Sequence, residues 1–358
     1  MPSGARELLV KFAKTASADD ANQHQTGDAD AYLTPWLMHH GLHLVAYDKG
    51  LLDPQTHANV SPHVALAIAN NTVQNQAFES LLTSIKDAGM TTPLVFKGSA
   101  LNRQVYSEPW HRPKTDHDIL IPDHARQDLH ELFLSQQLIP VANNSGQLLS
   151  YQCSYGKPLL GQAHLNVDVH WRTSNRQMLA HLFSYNELMA RSQVIEDCIH
   201  APCTADSIIL SALHIIGHHL GNERLVWFYD LYLLSKKASE EDYEHLLELL
   251  HSKQMAGLVT AALNACELLF GEVLPNHVRE KLIHLSAQPE PTQVLLRHQH
   301  SRWRLFWWDL KALSGLGQRL TFIREMLVPS AQYMRHEFNT QNLWLAHWRR
   351  LTRRLLKP

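Results

Sequence analysis

The chain has 358 residues, 45% hydrophobic and 18% charged, with a formal net charge of -2. This composition excludes a disordered protein, and the balanced charge gives no global pull toward nucleic acid or membrane. Four scattered cysteines (Cys153, Cys198, Cys203 and Cys266) exclude a disulfide framework and form no Cys-x-x-Cys pair, which points to a reduced, cytoplasmic setting.

Residues 1–89 read as an N-terminal helical segment. A short helix, Glu7 to Lys14, precedes a polar loop reaching about residue 30. Leu33, Trp36, Leu37, Leu42 and Val45 then recur at helical intervals up to Leu52. Ser61-Pro62 predicts another helix start, with serine as cap and proline in the first turn, running to Ala88 and stopping at Gly89.

Residues 90–175 read as a mixed α/β core. The strand Leu94-Val95-Phe96 leads through Lys97-Gly98-Ser99 into a short helix ending near Tyr106. A second strand opens with Asp116-His117-Asp118-Ile119-Leu120-Ile121. Alternation along a strand puts Asp116 and Asp118 on one face, with His117, Ile119 and Ile121 toward the core. Neighbouring carboxylates repel unless a cation sits between them, and a hard divalent metal that also carries phosphates fits that need. A helix follows from Asp123 to Gln136. A hairpin is then expected, with Leu148–Tyr155 turning at Gly156-Lys157-Pro158 and returning as Ala163–Trp171. On the returning strand Leu165, Val167, Val169 and Trp171 share one face, while Asn166, Asp168 and His170 share the other. Asp168 is therefore the candidate third metal ligand or base, and His170 could orient it, touch an acceptor, or be a strand histidine packed against the hairpin.

Residues 176–358 read as a large helical domain, with helices over about 176–191, 205–220, 224–237, 239–252, 254–270 and 275–286 and more to the end. His214 and His218 lie one helical turn apart. They form either a transition-metal pair or buried, hydrogen-bonded histidines. Asp230, in an apolar helix, needs a partner, with His214 or His218 as candidates for a domain-packing contact; the alternative is an acceptor-side role for these residues. Trp303, Trp307 and Trp308 read as core or an aromatic interface. The last segment is rich in arginine, with Arg349, Arg350, Arg353 and Arg354 among others. Such a basic end is either a solvated helix face or a contact for phosphate-rich partners or anionic lipid. No run of about 20 apolar residues offers a membrane span, and the first residues lack the apolar core and cleavage site of a signal peptide.

The strand, Gly-Ser corner, helix and Asp-x-Asp strand resemble the polymerase-β-like nucleotidyltransferases. Lys97-Gly98-Ser99-Ala100-Leu101, Tyr106, Arg112-Pro113, Asp116-x-Asp118-Ile119-Leu120 and Val167-Asp168-Val169-His170-Trp171 resemble the bacterial "uncharacterised nucleotidyltransferase" family. His214, His218, Trp227 and Asp230, and later Phe322-Ile323-Arg324 and Pro329-Ser330 to Tyr333, match it too. His117 departs from the family's usual isoleucine. The resemblance implies an α+β fold and transfer of a nucleoside monophosphate from an NTP such as ATP to an acceptor, releasing pyrophosphate. It implies Asp116, Asp118 and Asp168 around two Mg²⁺ ions, with Lys97, Gly98, Ser99 and Arg112 on the nucleotide. Arg112 could equally form a structural salt bridge. The acceptor (a sugar, a small metabolite, an RNA end or a protein) is not legible. Two alternatives stand beside this reading: a nucleotide-binding or interaction protein without turnover, and a metal hydrolase built on His214, His218 and Asp230.

Overall fold

The computed structural model describes residues 32–141, 146–161, 163–196, 199–218, 224–298 and 301–355, together with Ala5, Leu8, Leu9 and Phe12. Of the helix expected over Glu7–Lys14, only Leu8, Leu9 and Phe12 are described, all helical and buried. The polar loop after it lies outside the described residues.

Two short helices, α1 (Leu33–His40) and α2 (His43–Asp48), replace the single one expected up to Leu52. Gly41, at φ 74°, breaks them apart. The helix expected to be capped by Ser61 is instead capped eight residues earlier, by Asp53, as α3 (Pro54–Asp87). Asp53 supplies a cap whose Oδ1 accepts from the amides of Gln55 and Thr56, both at 3.0 Å, and Pro54 occupies the first turn. Pro62 is therefore inside the helix, where it removes one hydrogen bond without ending it. Gly89, at φ 64°, follows the helix end.

Seven strands form one sheet in the order β3-β4-β5-β2-β1-β7-β6. They are β1 (Leu94–Phe96), β2 (His117–Leu120), β3 (Ile139–Pro140), β4 (Gln152–Pro158), β5 (His164–His170), β6 (Gln193–Glu196) and β7 (Ile199–Ala201). The turn expected at Gly156-Lys157-Pro158 is instead the end of β4. Pro158 pairs with His164 at the last register position, the Leu159 amide donates to the Ala163 carbonyl at 2.9 Å, and Gly161 is at φ 69°. A proline lacks only its own amide, so a strand end tolerates it. The hairpin β6–β7 was not foreseen. Through the β1–β7 pair the sheet runs past residue 175, where the α/β core was expected to end.

The two sheet faces serve two different cores. Val95, Ile119, Ile121, Val167 and Val169 pack with Phe78 and Ile85 of α3. Leu129 and Phe133 of α5 (Arg126–Ser135) close that side; α4 (Gly98–Gln104) precedes it in the chain. Leu94, Phe96 and Leu120 face the opposite way, into a larger cluster with helices α8 (Thr204–Leu213), α9 (Leu225–Lys237), α10 (Glu240–Lys253) and α11 (Ala256–Phe270). Two short helices, α6 (Gln177–Ala180) and α7 (Tyr185–Ala190), lead into this body, and α12 (Asn276–Ser286) and α13 (Gln293–His298) continue it. The architecture is α+β: a mixed sheet with helices before it and a long helical run after it. The chain ends in α14 (Arg302–Ala312), α15 (Leu316–Leu327), α16 (Ala331–Glu337) and α17 (Leu343–Leu355). Trp303, Trp307 and Trp308 are exposed on α14, at 66%, 44% and 36%, so they are not core. Among the described residues, no helix is long and apolar enough to cross a membrane.

Candidate metal and nucleotide site

Strand register builds the site. β2 and β5 run parallel with Asp118 opposite Asp168 and Leu120 opposite His170. Alternation then puts Asp118, Asp168 and His170 on one face, as their apolar neighbours already required. One potential ligand atom from each of the three lies within 4.8 Å of the others. The sequence had grouped Asp116, Asp118 and Asp168. The structure gathers Asp118 and Asp168 with His170, and leaves Asp116 outside that tight group.

Asp118 is buried, which alone would push its pKa up. The Lys97 ammonium, 2.7 Å from its Oδ1, and His170 Nε2, at 2.9 Å, outweigh that and hold the carboxyl well below the ordinary range. His170 is held below its own ordinary value by burial and by Lys97, so the neutral ring donates its Nε2 proton to Asp118. Three readings were open to His170 (orienting Asp168, touching an acceptor, or packing against the hairpin); its hydrogen bond to Asp118 leaves the orienting of Asp168 to another residue. That task belongs to Gln152, whose amide donates to Asp168 Oδ2 at 3.1 Å and accepts from Asn175 at 3.1 Å. Gln152 is the register partner of His170, a position no residue pattern marks.

Asp116 behaves differently. Burial, then the charges of Asp118 and Asp168, raise its carboxyl to about 6. Negative charge at this corner is thus incompletely balanced by Lys97 and Arg112. Asp118 Oδ2 and Asp168 Oδ1 accept no hydrogen bond among the described residues. Uncompensated charge and two free carboxylate oxygens fit a hard divalent cation. The imidazole beside them widens the fit to softer divalent ions such as Mn²⁺.

Lys97 carries this arrangement at a cost. It sits between β1 and α4 with φ 51°, a backbone conformation that non-glycine residues rarely adopt. Such strain costs about 1–3 kcal/mol and persists only where the surroundings fix it. The Gly98 and Ser99 amides follow, at the start of α4. The Ser99 hydroxyl is buried against His117 Nδ1 at 3.0 Å and the Asp116 carbonyl at 3.4 Å. It ties α4 to β2. His117 stacks on Phe78, ring centroids 4.0 Å apart, and so fills the core place that an isoleucine would take.

Of the two roles open to Arg112, the structure has the salt bridge. Its Nε and Nη2 meet the Asp230 carboxylate at 2.8–3.0 Å, and Nη1 donates to the Pro113 carbonyl at 3.2 Å. The Tyr106 hydroxyl donates to the same carboxylate at 2.7 Å. Asp230 therefore has the partner it needed, in Arg112 and Tyr106 rather than in His214, one of the two histidines considered for it. Gly98 belongs to this unit: a β-carbon there would stand 2.5 Å from Arg112 Nη1. His214 begins a π-helical turn, His214–His218, and its ring meets Trp227 edge-on at 4.9 Å. The His218 side chain lies outside the described residues. A narrow cavity beside the site is lined by Lys97, Arg112, Ser211, His214, Trp227 and Asp230.

A family model described as uncharacterised nucleotidyltransferase matches residues 30–271. That span holds every candidate site residue, and it stops before Phe322–Tyr333, where the sequence had suggested further likeness. No curated protein matches the chain.

Proposed function

The chain belongs to the uncharacterised nucleotidyltransferase family, and we propose that it transfers a nucleoside monophosphate from an NTP to a hydroxyl-bearing acceptor. One observation carries this reading: Asp118 and Asp168 are register partners on adjacent parallel strands, with a His170 nitrogen within 4.8 Å. In the reaction the acceptor oxygen attacks the α-phosphorus, forming a P–O bond while the bond to the β-phosphate oxygen breaks. Pyrophosphate leaves, and Asp168, held by Gln152, takes the acceptor's proton.

Asp118, Asp168 and Asp116 would hold Mg²⁺, as one ion or two, with His170 at the edge of the set. When bound, the metal would neutralise triphosphate charge and acidify the acceptor hydroxyl. The chain's own groups do the rest. The Lys97 ammonium is available to triphosphate oxygens once a cation takes over Asp118. The amides of Gly98 and Ser99 approach phosphate from the start of α4. Arg112 acts as a positioning residue: locked to Asp230, it braces the Gly98 corner and adds positive charge behind it. Positioning and electrostatics carry most of the catalysis in phosphoryl-type transfer.

The test is incubation with each labelled NTP, Mg²⁺ or Mn²⁺ and pooled acceptors, following pyrophosphate release. Asp118→Asn and Asp168→Asn should each lower the rate by about 10²–10⁴-fold; unchanged rates in both would refute the assignment. A second reading draws on the Lys97–Asp118 pair, which neutralises the carboxylate without any cation. It makes the chain a nucleotide-binding protein without turnover, and tight NTP binding with no pyrophosphate from any acceptor would select it. The histidine hydrolase would need Asp230, which is held by Arg112, and among the described residues no metal-ligand group includes His214.

A further inference from the structure

Half of the large hydrophobic side chains exposed among the described residues lie beyond residue 300, ten of twenty, in the part of the chain past the family match. They are ordered along helices. On α17, Trp344 and Trp348 stand one turn apart at 87% and 65% exposure, while Ala346 is fully buried. On α15, Leu316, Leu320 and Leu327 recur on one stripe and are 77%, 67% and 58% exposed. The two helices are joined: the Arg350 guanidinium caps α15 by donating to the Leu327 carbonyl at 2.7 Å and to that of Met326. Arg349 is exposed beside them and donates to the Phe338 carbonyl at 2.9 Å.

Charge decides what such a surface fits. Residues 341–358 contain five lysines and arginines (Arg349, Arg350, Arg353, Arg354 and Lys357) and no aspartate or glutamate. An apolar stripe rich in tryptophan on an acid-free basic helix is the composition that lies in a bilayer interface. The tryptophans match the headgroup region, and the cations match anionic lipid. A second copy would bring two acid-free ends of the same sign together, and a nucleic acid would leave the leucine stripe in water. We propose that the α15–α17 surface docks the enzyme on an anionic membrane face. This inference does not depend on the reaction assigned above.

The test uses the full-length chain with vesicles of phosphatidylcholine alone or mixed with phosphatidylglycerol. Sedimentation should show binding at least about tenfold tighter to the mixed vesicles, weakening with added salt, and tryptophan emission should shift to the blue. The double variant Trp344→Ser/Trp348→Ser and, separately, Leu316→Ser/Leu320→Ser should each lose about tenfold or more of that binding with unchanged melting temperature. All four side chains are exposed, and the second pair keeps the test open should the first disturb folding. Equal binding to both vesicle types, no binding to either, or a lipid-free dimer that shields the tryptophans would overturn the proposal.

Discussion

At the residue scale the structure turns on charges that lean on one another. Arg112, Asp230 and Tyr106 form a buried unit, and breaking a buried pair costs far more than the pair itself contributes, because one charge is left alone. Arg112→Met should therefore destabilise the fold by about 3–5 kcal/mol, measured by denaturant unfolding. The double variant Arg112→Met/Asp230→Leu should recover a substantial part. Gly98→Ala should also destabilise, since its methyl group would meet the guanidinium at 2.5 Å; an unchanged unfolding midpoint would refute that close approach. The two halves of this unit were legible beforehand, Arg112 as a candidate salt-bridge former and Asp230 as an acid in an apolar helix, but their meeting was not. Asp230 visibly needed a partner, but the partner lies 118 positions away, and spacing along the chain carries no information about such a meeting. The acidic face was legible, because a strand's alternation fixes which side chains share a side. What alternation could not say was which member of that face lies nearest which, so the contact of His170 with Asp118 was left open.

At the scale of elements, two local rules competed at the start of α3. Both Asp53-Pro54 and Ser61-Pro62 offer a capping residue followed by proline. The first wins because helix continues from there through Pro62, and an interior proline forfeits one bond rather than all of them. Asp53→Ala should destabilise by about 1 kcal/mol, whereas Ser61→Ala should change little, as thermal or chemical unfolding would show. Equal losses at the two sites would put the helix start at residue 61 after all. The hairpin β6–β7 escaped notice for a related reason. Its strands are four and three residues long, too short for alternation to stand out, and β7 owes its place to pairing with β1.

At the scale of the whole molecule, folding stability should depend on acidity in a defined window. His43, on α2, is buried and lies near His63; burial first, then that neighbour, push its pKa down to about 4. The unfolded chain takes up a proton at this residue near pH 6.5 and the folded chain only near pH 4. Between those values the unfolded state binds more protons, so stability rises with pH across the window and falls as the solution is acidified. The contribution is at most about 3 kcal/mol. Unfolding free energies measured from pH 4 to 7 should show a shallower slope in His43→Leu than in the parent chain; identical slopes would mean that the histidine titrates as if exposed.

The pairing of β2 with β5 has a consequence for how the chain can vary. Asp118 and Asp168 are fifty positions apart in the chain, yet their separation in space is set by the spacing of neighbouring strands. Lengthening or trimming the excursion between them leaves the two acids where they are. Sliding β5 by a single step, in contrast, would turn Asp168 and His170 inward and present Val167 and Val169 instead. The centre is thus indifferent to the length of its detour and intolerant of its phase: it assembles whole, or it is replaced by a greasy patch.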